Sequence, residues 1–128
     1  MNELLNQLSA FELIELQTIY FDLANSTLTI FTTALFAYLF LCHVALDRLS
    51  KVQLIVITSL YSLFMLTQVL FLTGHFYNAH GIQGRMSTLF SDIPEGGNEM
   101  FYFVPAIAIV SWVVSILYMW SMRRASDT

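Results

Sequence analysis

Charged residues divide this chain into three long apolar runs. Leu23 to Leu46, Val52 to Gly84 and Met100 to Met122 contain no Asp, Glu, Lys or Arg. A helix rises about 1.5 Å per residue and needs roughly 20 mainly apolar residues to cross the hydrocarbon core of a bilayer. Each run meets that length. The pattern therefore predicts an all-α integral membrane protein with three transmembrane helices, forming a single membrane domain over residues 1–128.

The polar positions between the runs set the expected boundaries. Ser9-Ala10-Phe11-Glu12 has the pattern of a capping box, in which the Ser9 hydroxyl accepts from the backbone three residues on and Glu12 reaches back to the Ser9 amide. With no Gly or Pro from there to Leu46, the first helix is expected over 9–46, its span extended at the N-terminus by an amphipathic acidic segment. Such a helix is about 55 Å long, more than a bilayer is thick. Its first third must then project into water or bend at Asn25-Ser26 onto the membrane surface. Asp47-Arg48-Leu49-Ser50 reads as a tight polar turn. The second span is expected over 51–76, because Gly81 and Gly84 interrupt the helical pattern beyond it. Residues 77–98 then form an outer loop around Pro94-Glu95-Gly96-Gly97, and Asn98 caps a third span over 99–122 that carries Pro105 early. Residues 123–128 are left as a short cytoplasmic tail.

Steps of three and four residues stay on one helical face. On the first helix they connect Glu12, Glu15, Thr18, Asp22, Ser26, Thr29, Thr33, Phe36, Phe40 and His43. This row begins acidic, becomes hydroxylated and ends aromatic, so it is expected to face something other than lipid. One reading packs the hydroxyls against neighbouring helices, where small polar residues allow close approach. The other arranges copies of the row around an axis, with acidic rings that select cations and a phenyl constriction that gates. The second helix carries Thr58, Tyr61, Met65, Gln68, Leu72 and His75 on one face, and an amide such as Gln68 at membrane depth needs a hydrogen-bonding partner. On the third, Ser111 and Ser115 make a small-xxx-small step, a common helix-contact device.

Charge placement sets the expected orientation. Arg48 and Lys51 fall between the first two spans and Arg123 and Arg124 close the third, whereas the N-terminal segment has no Lys or Arg. Basic residues favour the cytoplasmic side, which puts the N-terminus outside and the C-terminus inside an inner or plasma membrane. The acidic start, with Glu3, Glu12 and Glu15, also lacks the basic region of a cleaved signal peptide. Tyr77, Tyr102 and Trp120 lie near the expected span ends, where amphipathic rings suit the headgroup zone.

Candidate chemistry is sparse. The single Cys42 excludes a disulfide framework and any Cys-x-x-Cys site, and the basic footprint of a nucleic-acid binder is absent. His75 and His80 with Asp92, Glu95 and Glu99 form a weak candidate for an outer metal site, since imidazole and carboxylate together suit zinc-like ions. His43 belongs to the opposite end of the spans, about 30 Å away, and cannot share a haem with His75 within one protomer. Intramembrane catalysis usually needs ionisable groups, which the spans lack away from their ends, so an enzyme is not expected. The expectation is a membrane protein that works by helix association with lipid around it, as a homo-oligomer or as an accessory subunit of another membrane protein. A homo-oligomeric cation channel is the alternative, and a lipid, quinone or haem anchor the second; no cofactor is identifiable.

Overall fold

The computed structural model describes residues 9–89 and 98–126, those of 98–101 by backbone alone. They form α1 (Ala10–Ala45), a 3-10 turn (Leu46–Arg48), α2 (Lys51–Leu89) and α3 (Asn98–Ser126). Three of these helical segments are long and apolar enough to cross a membrane. α1 and α2 pack along their lengths as an antiparallel hairpin, and α3 returns along α2 and touches α1 least.

Both long helices start with reciprocal caps. At α1, Glu12 N–H donates to the Ser9 hydroxyl at 3.4 Å while the Ser9 amide donates to Glu12 Oε2 at 2.7 Å. This is the capping box expected from the sequence. At α2, Gln53 N–H donates to Ser50 Oγ at 3.2 Å and the Ser50 amide donates to Gln53 Oε1 at 2.9 Å. That second box, Ser-x-x-Gln ahead of an apolar run, was legible by the same rule. The Ser50–Gln53 box closes the α2 side of the turn, whereas the Ser9–Glu12 box lies at the opposite end of the hairpin. α1 is unbroken past Asn25-Ser26, so its 36 residues make a rod about 54 Å long.

Two expected boundaries move. α2 does not stop at Phe76; it continues through Gly81 and Gly84 to Leu89, so 77–89 is helix and not outer loop. Each Gly costs a helix about 1 kcal/mol relative to Ala. Here Ala79, Ile82 and Met86 are buried, and Ile82 and Met86 join Leu13, Leu16 and Tyr20 of α1 in a separate small core. Burial of that face outweighs the glycine penalty, which local pattern alone does not register. Pro94-Glu95-Gly96-Gly97 lies outside the described residues. At the other end α3 already includes Asn98 and runs past 122 to Ser126, so Arg123 and Arg124 sit in a helical last turn and not in a tail. Cations there complement the helix dipole.

The main core joins all three helices. Ala24, Phe31, Tyr38, Cys42 and Leu46 come from α1 and the turn, Leu54, Tyr61, Met65, Val69 and Leu72 from α2, and Ala108 and Met119 from α3. The smaller core, at the open end of the hairpin, uses α1 and α2 alone.

Candidate functional site

α1 has two faces that divide its polar residues. Its inward face holds Leu13, Ala24, Thr27, Phe31, Tyr38 and Cys42, all buried. The row singled out in the sequence runs along the other face: Glu12, Glu15, Asp22, Ser26, Thr29, Thr33, Phe36, Phe40 and His43 are all exposed. Phe36 and Phe40 are 65% and 69% exposed, as are many large apolar residues on the outer faces of all three helices. The hydroxyl row therefore does not pack against α2 or α3. Larger inward side chains interlock with α2 and take the contact that the small polar residues were expected to make.

The exposed hydroxyls are not idle donors. Thr29 Oγ1 donates to the Asn25 carbonyl at 3.0 Å and Thr33 Oγ1 to the Thr29 carbonyl at 2.8 Å. Thr32, on the neighbouring row, does the same toward Leu28 at 2.9 Å. With its proton committed to the helix's own backbone, each of these oxygens presents only acceptor lone pairs outward.

Inside the bundle, Thr58 and Tyr61 of the second-helix row make polar contacts with the other two helices. Tyr38 and Tyr61 stack with ring centroids 3.9 Å apart and planes 2° from parallel. The Tyr38 hydroxyl lies 3.1 Å from Thr58 Oγ1, and the Tyr61 hydroxyl 2.9 Å from Ser115 Oγ. Ser115 Oγ in turn donates to the Trp112 carbonyl at 2.6 Å. This ladder ties α1 to α2 and α2 to α3 at one level. Thr58, Tyr61 and Ser115 are thus helix-contact residues within one chain. Gln68, two turns along α2 from Tyr61, is 9% exposed. Its amide is on the inner face of α2 beside Met65, Val69 and Leu72, all buried. Ser111 lies on the α1-facing side of α3 in a groove with Leu39 and His43.

A contact that sequence reasoning missed locks the turn end. Arg123 Nη1 donates to the carbonyls of Leu46 and Leu49 at 3.2 and 3.0 Å. These oxygens terminate α1 and its turn, where helix carbonyls lack intrahelical donors. An Arg one helix away in sequence gives no local signal for such a bond. The link places Arg48, Lys51, Arg123 and Arg124 at one end of the molecule and Glu12 and Glu15 at the other.

At the open end, Thr73, Tyr77 and His80 of α2 and Tyr102 and Pro105 of α3 line a cavity of about 100 Å³. His75 lies elsewhere, its ring 6.4 Å from those of Tyr20 and Phe71. Of the proposed metal ligands, Asp92 and Glu95 fall outside the described residues, as does the side chain of Glu99; the described residues contain no group of three metal-ligating side chains. At the start of α1, hydrogen bonds from the Ser9 amide and then the Ser9 hydroxyl hold the Glu12 carboxyl below the usual carboxylate value. Compared with the known protein families, with curated proteins and with solved structures, the chain matches none of them.

Proposed function

We propose that this chain is an integral membrane protein, N-terminus outside and C-terminus in the cytoplasm, that acts by association through the outward face of α1. The observation that carries the reading is the row Ser26, Thr29, Thr33, Phe36 and Phe40, which neither α2 nor α3 covers. Lipid tails give apolar helices little reason to associate, so contacts in a bilayer come from close packing and polar groups between helices. A face with hydroxyls at its centre and two bare phenyl rings has both. The basic residues gathered at the turn end support the orientation, since that end is the one favoured in the cytoplasm. A second copy of the chain is the first occupant to test, and a different membrane subunit the second.

Mass measurement of the purified chain in nanodiscs separates these: a ring or dimer supports self-association, and a monomer that recovers its face only with another protein supports the accessory role. Thr29→Leu with Thr33→Leu should shift the oligomer distribution toward monomer by about 1 kcal/mol per contact, as for other intramembrane polar contacts. An unchanged distribution rules out this face as the contact.

The acceptor-only hydroxyls favour a specific second reading. If copies of α1 surround an axis, the outward oxygens of Thr29 and Thr33 would face a permeating cation below the carboxylates of Glu15 and Asp22. Planar bilayers containing the protein would then conduct cations in preference to anions, and Phe36→Ala or Phe40→Ala would raise conductance. Silent bilayers with a stable oligomer leave association as the function.

A further inference from the structure

α1 and α3 meet loosely, and toward the turn end their seam opens into a groove of about 540 Å³ lined by Leu35, Leu39 and His43 of α1 and Ser111, Val114 and Tyr118 of α3. Its base is closed where Ser115 bonds Tyr61. About one turn beyond His43 and Tyr118, Arg123 bridges the two helices through the Leu46 carbonyl. The groove thus has an apolar wall of Leu35, Leu39 and Val114, with His43 and Tyr118 nearest the end at which Arg123 bonds the turn.

Two features point to a ligand. Among the described residues, His43, Ser111 and Tyr118 make no hydrogen bond, whereas Tyr38, Tyr61 and Ser115 are all bonded. A few polar groups along an otherwise apolar groove are common in small-molecule sites, and the volume falls in the range of such sites, about 300–1,000 Å³. The second feature is charge. Arg48, Lys51, Arg123 and Arg124 crowd the turn end against Asp47 alone among the described acidic residues. That end attracts anions.

Shape selects the class of occupant. From Leu35 to His43 the groove follows about 12 Å of helix, close to the roughly 15 Å depth of one leaflet's hydrocarbon. Along that length the groove is open to one side, and its wall is aliphatic at Leu35, Leu39 and Val114. A flexible hydrocarbon chain suits such an open apolar recess, and a helix of a second copy is the competing occupant that the filling variants test. Polarity also runs in register with a leaflet, charged and hydrogen-bonding at the turn end and apolar inward.

We propose that the groove holds one anionic phospholipid of the leaflet at the turn end. One acyl chain lies along Leu35, Leu39 and Val114, and the phosphate sits among His43, Tyr118 and the basic residues. The second acyl chain stays in the bilayer, because the groove is open to the side. This proposal rests on the membrane reading above, and it shares His43 with the end of the outward row of α1.

The test is native mass spectrometry of the full chain purified in detergent and titrated with dioleoylphosphatidylglycerol or dioleoylphosphatidylcholine. One phosphatidylglycerol per protomer should be retained about tenfold more tightly than phosphatidylcholine, a difference well resolved as a shift in midpoint. Leu39→Trp, which fills the groove, should abolish the adduct, while Leu63→Trp, at an exposed site on α2, should leave it intact. His43→Leu with Tyr118→Phe should equalise the two lipids. If Leu39→Trp loses helicity by circular dichroism, Val114→Phe takes its place. Equal retention of both lipids by the unmodified chain overturns the proposal, as does an adduct that survives the filling variants. A filling variant that instead dissociates a lipid-free oligomer also overturns it, by showing a second copy in the groove. Detergent-dependent protein with no adduct overturns the lipid site alone, whereas a chain that stays monodisperse without detergent overturns the membrane reading itself.

Discussion

The inward and outward faces of α1 are built from similar side chains and meet opposite fates. Inward, Thr27 and Tyr38 are buried, and the Tyr38 ring stacks on Tyr61 while its hydroxyl meets Thr58. Outward, Thr29, Thr33, Phe36 and Phe40 also offer hydroxyls and rings, yet no neighbour within the chain touches them closely enough to bury them. From Ser26 to Phe40, hydroxyl and aromatic type alone does not separate the faces. Shape does: the inward residues meet a partner of matching register on α2, so their rings and hydroxyls satisfy one another. The outward row meets a partner only if a second molecule supplies it. One face stabilises the chain's own fold, and the other is the surface that the proposed function assigns to association.

The sharpest way to break this comparison is to truncate one ring on each face. Tyr38→Ala removes a buried aromatic and its stack, and should destabilise the protomer by about 3–5 kcal/mol, as large-to-small core changes do. Phe36→Ala should change protomer stability by no more than about 0.5 kcal/mol while altering association. Unfolding in mixed micelles, followed by circular dichroism at a dilution where the chain is monomeric, reads both. Equal losses would mean that the outward face also holds the protomer together.

Next in size is the lock at the turn end. Arg123→Gln removes a charged donor from the Leu46 and Leu49 carbonyls and should cost about 1.5–3 kcal/mol, the usual range for hydrogen bonds to charged groups. Amide exchange should accelerate at the end of α1 and across the turn, and stay unchanged at the open end. Uniform acceleration would show that the bond supports the whole bundle and not that end.

The open end gives a test in the stabilising direction. A Cβ added at Gly81 meets nothing within 4 Å, so Gly81→Ala should stabilise the outer part of α2 by about 0.5–1 kcal/mol. Slower amide exchange around Ala79 and Ile82 would register it. A loss of stability would mean that α2 needs a glycine there for something besides helix formation.

The smallest effect belongs to the cap of α1. Because the Ser9 bonds hold Glu12 below its ordinary 4.5, the folded cap binds fewer protons than the unfolded chain in that region. Its stabilisation is therefore fully present above about 4.5 and is lost as pH falls through the lowered Glu12 value. Exchange at the first turn of α1 should rise in acid, and Glu12→Gln, which can still cap but carries no charge, should remove the pH dependence. A first turn indifferent to pH would mean that the carboxylate adds nothing to the cap.

Much of the architecture was legible from local pattern because it depends on local chemistry. Uncharged runs of sufficient length, the Ser9 and Glu12 pair and the polar turn after Leu46 each act within a few residues, so the helix count, the start of α1 and the hairpin all follow from the chain read in order. The row on α1 was also visible, since a helical face is set by spacing alone. Tertiary packing decided the rest. It carried α2 through Gly81 and Gly84, because Ile82 and Met86 gain more by packing on Leu13 than two glycines lose. It turned the visible row outward, because a face is chosen by the fit of opposing side chains and spacing says nothing about fit. It also joined Tyr61 to Ser115 and Arg123 to Leu46, contacts between residues far apart in the chain whose geometry exists only after three helices have come together.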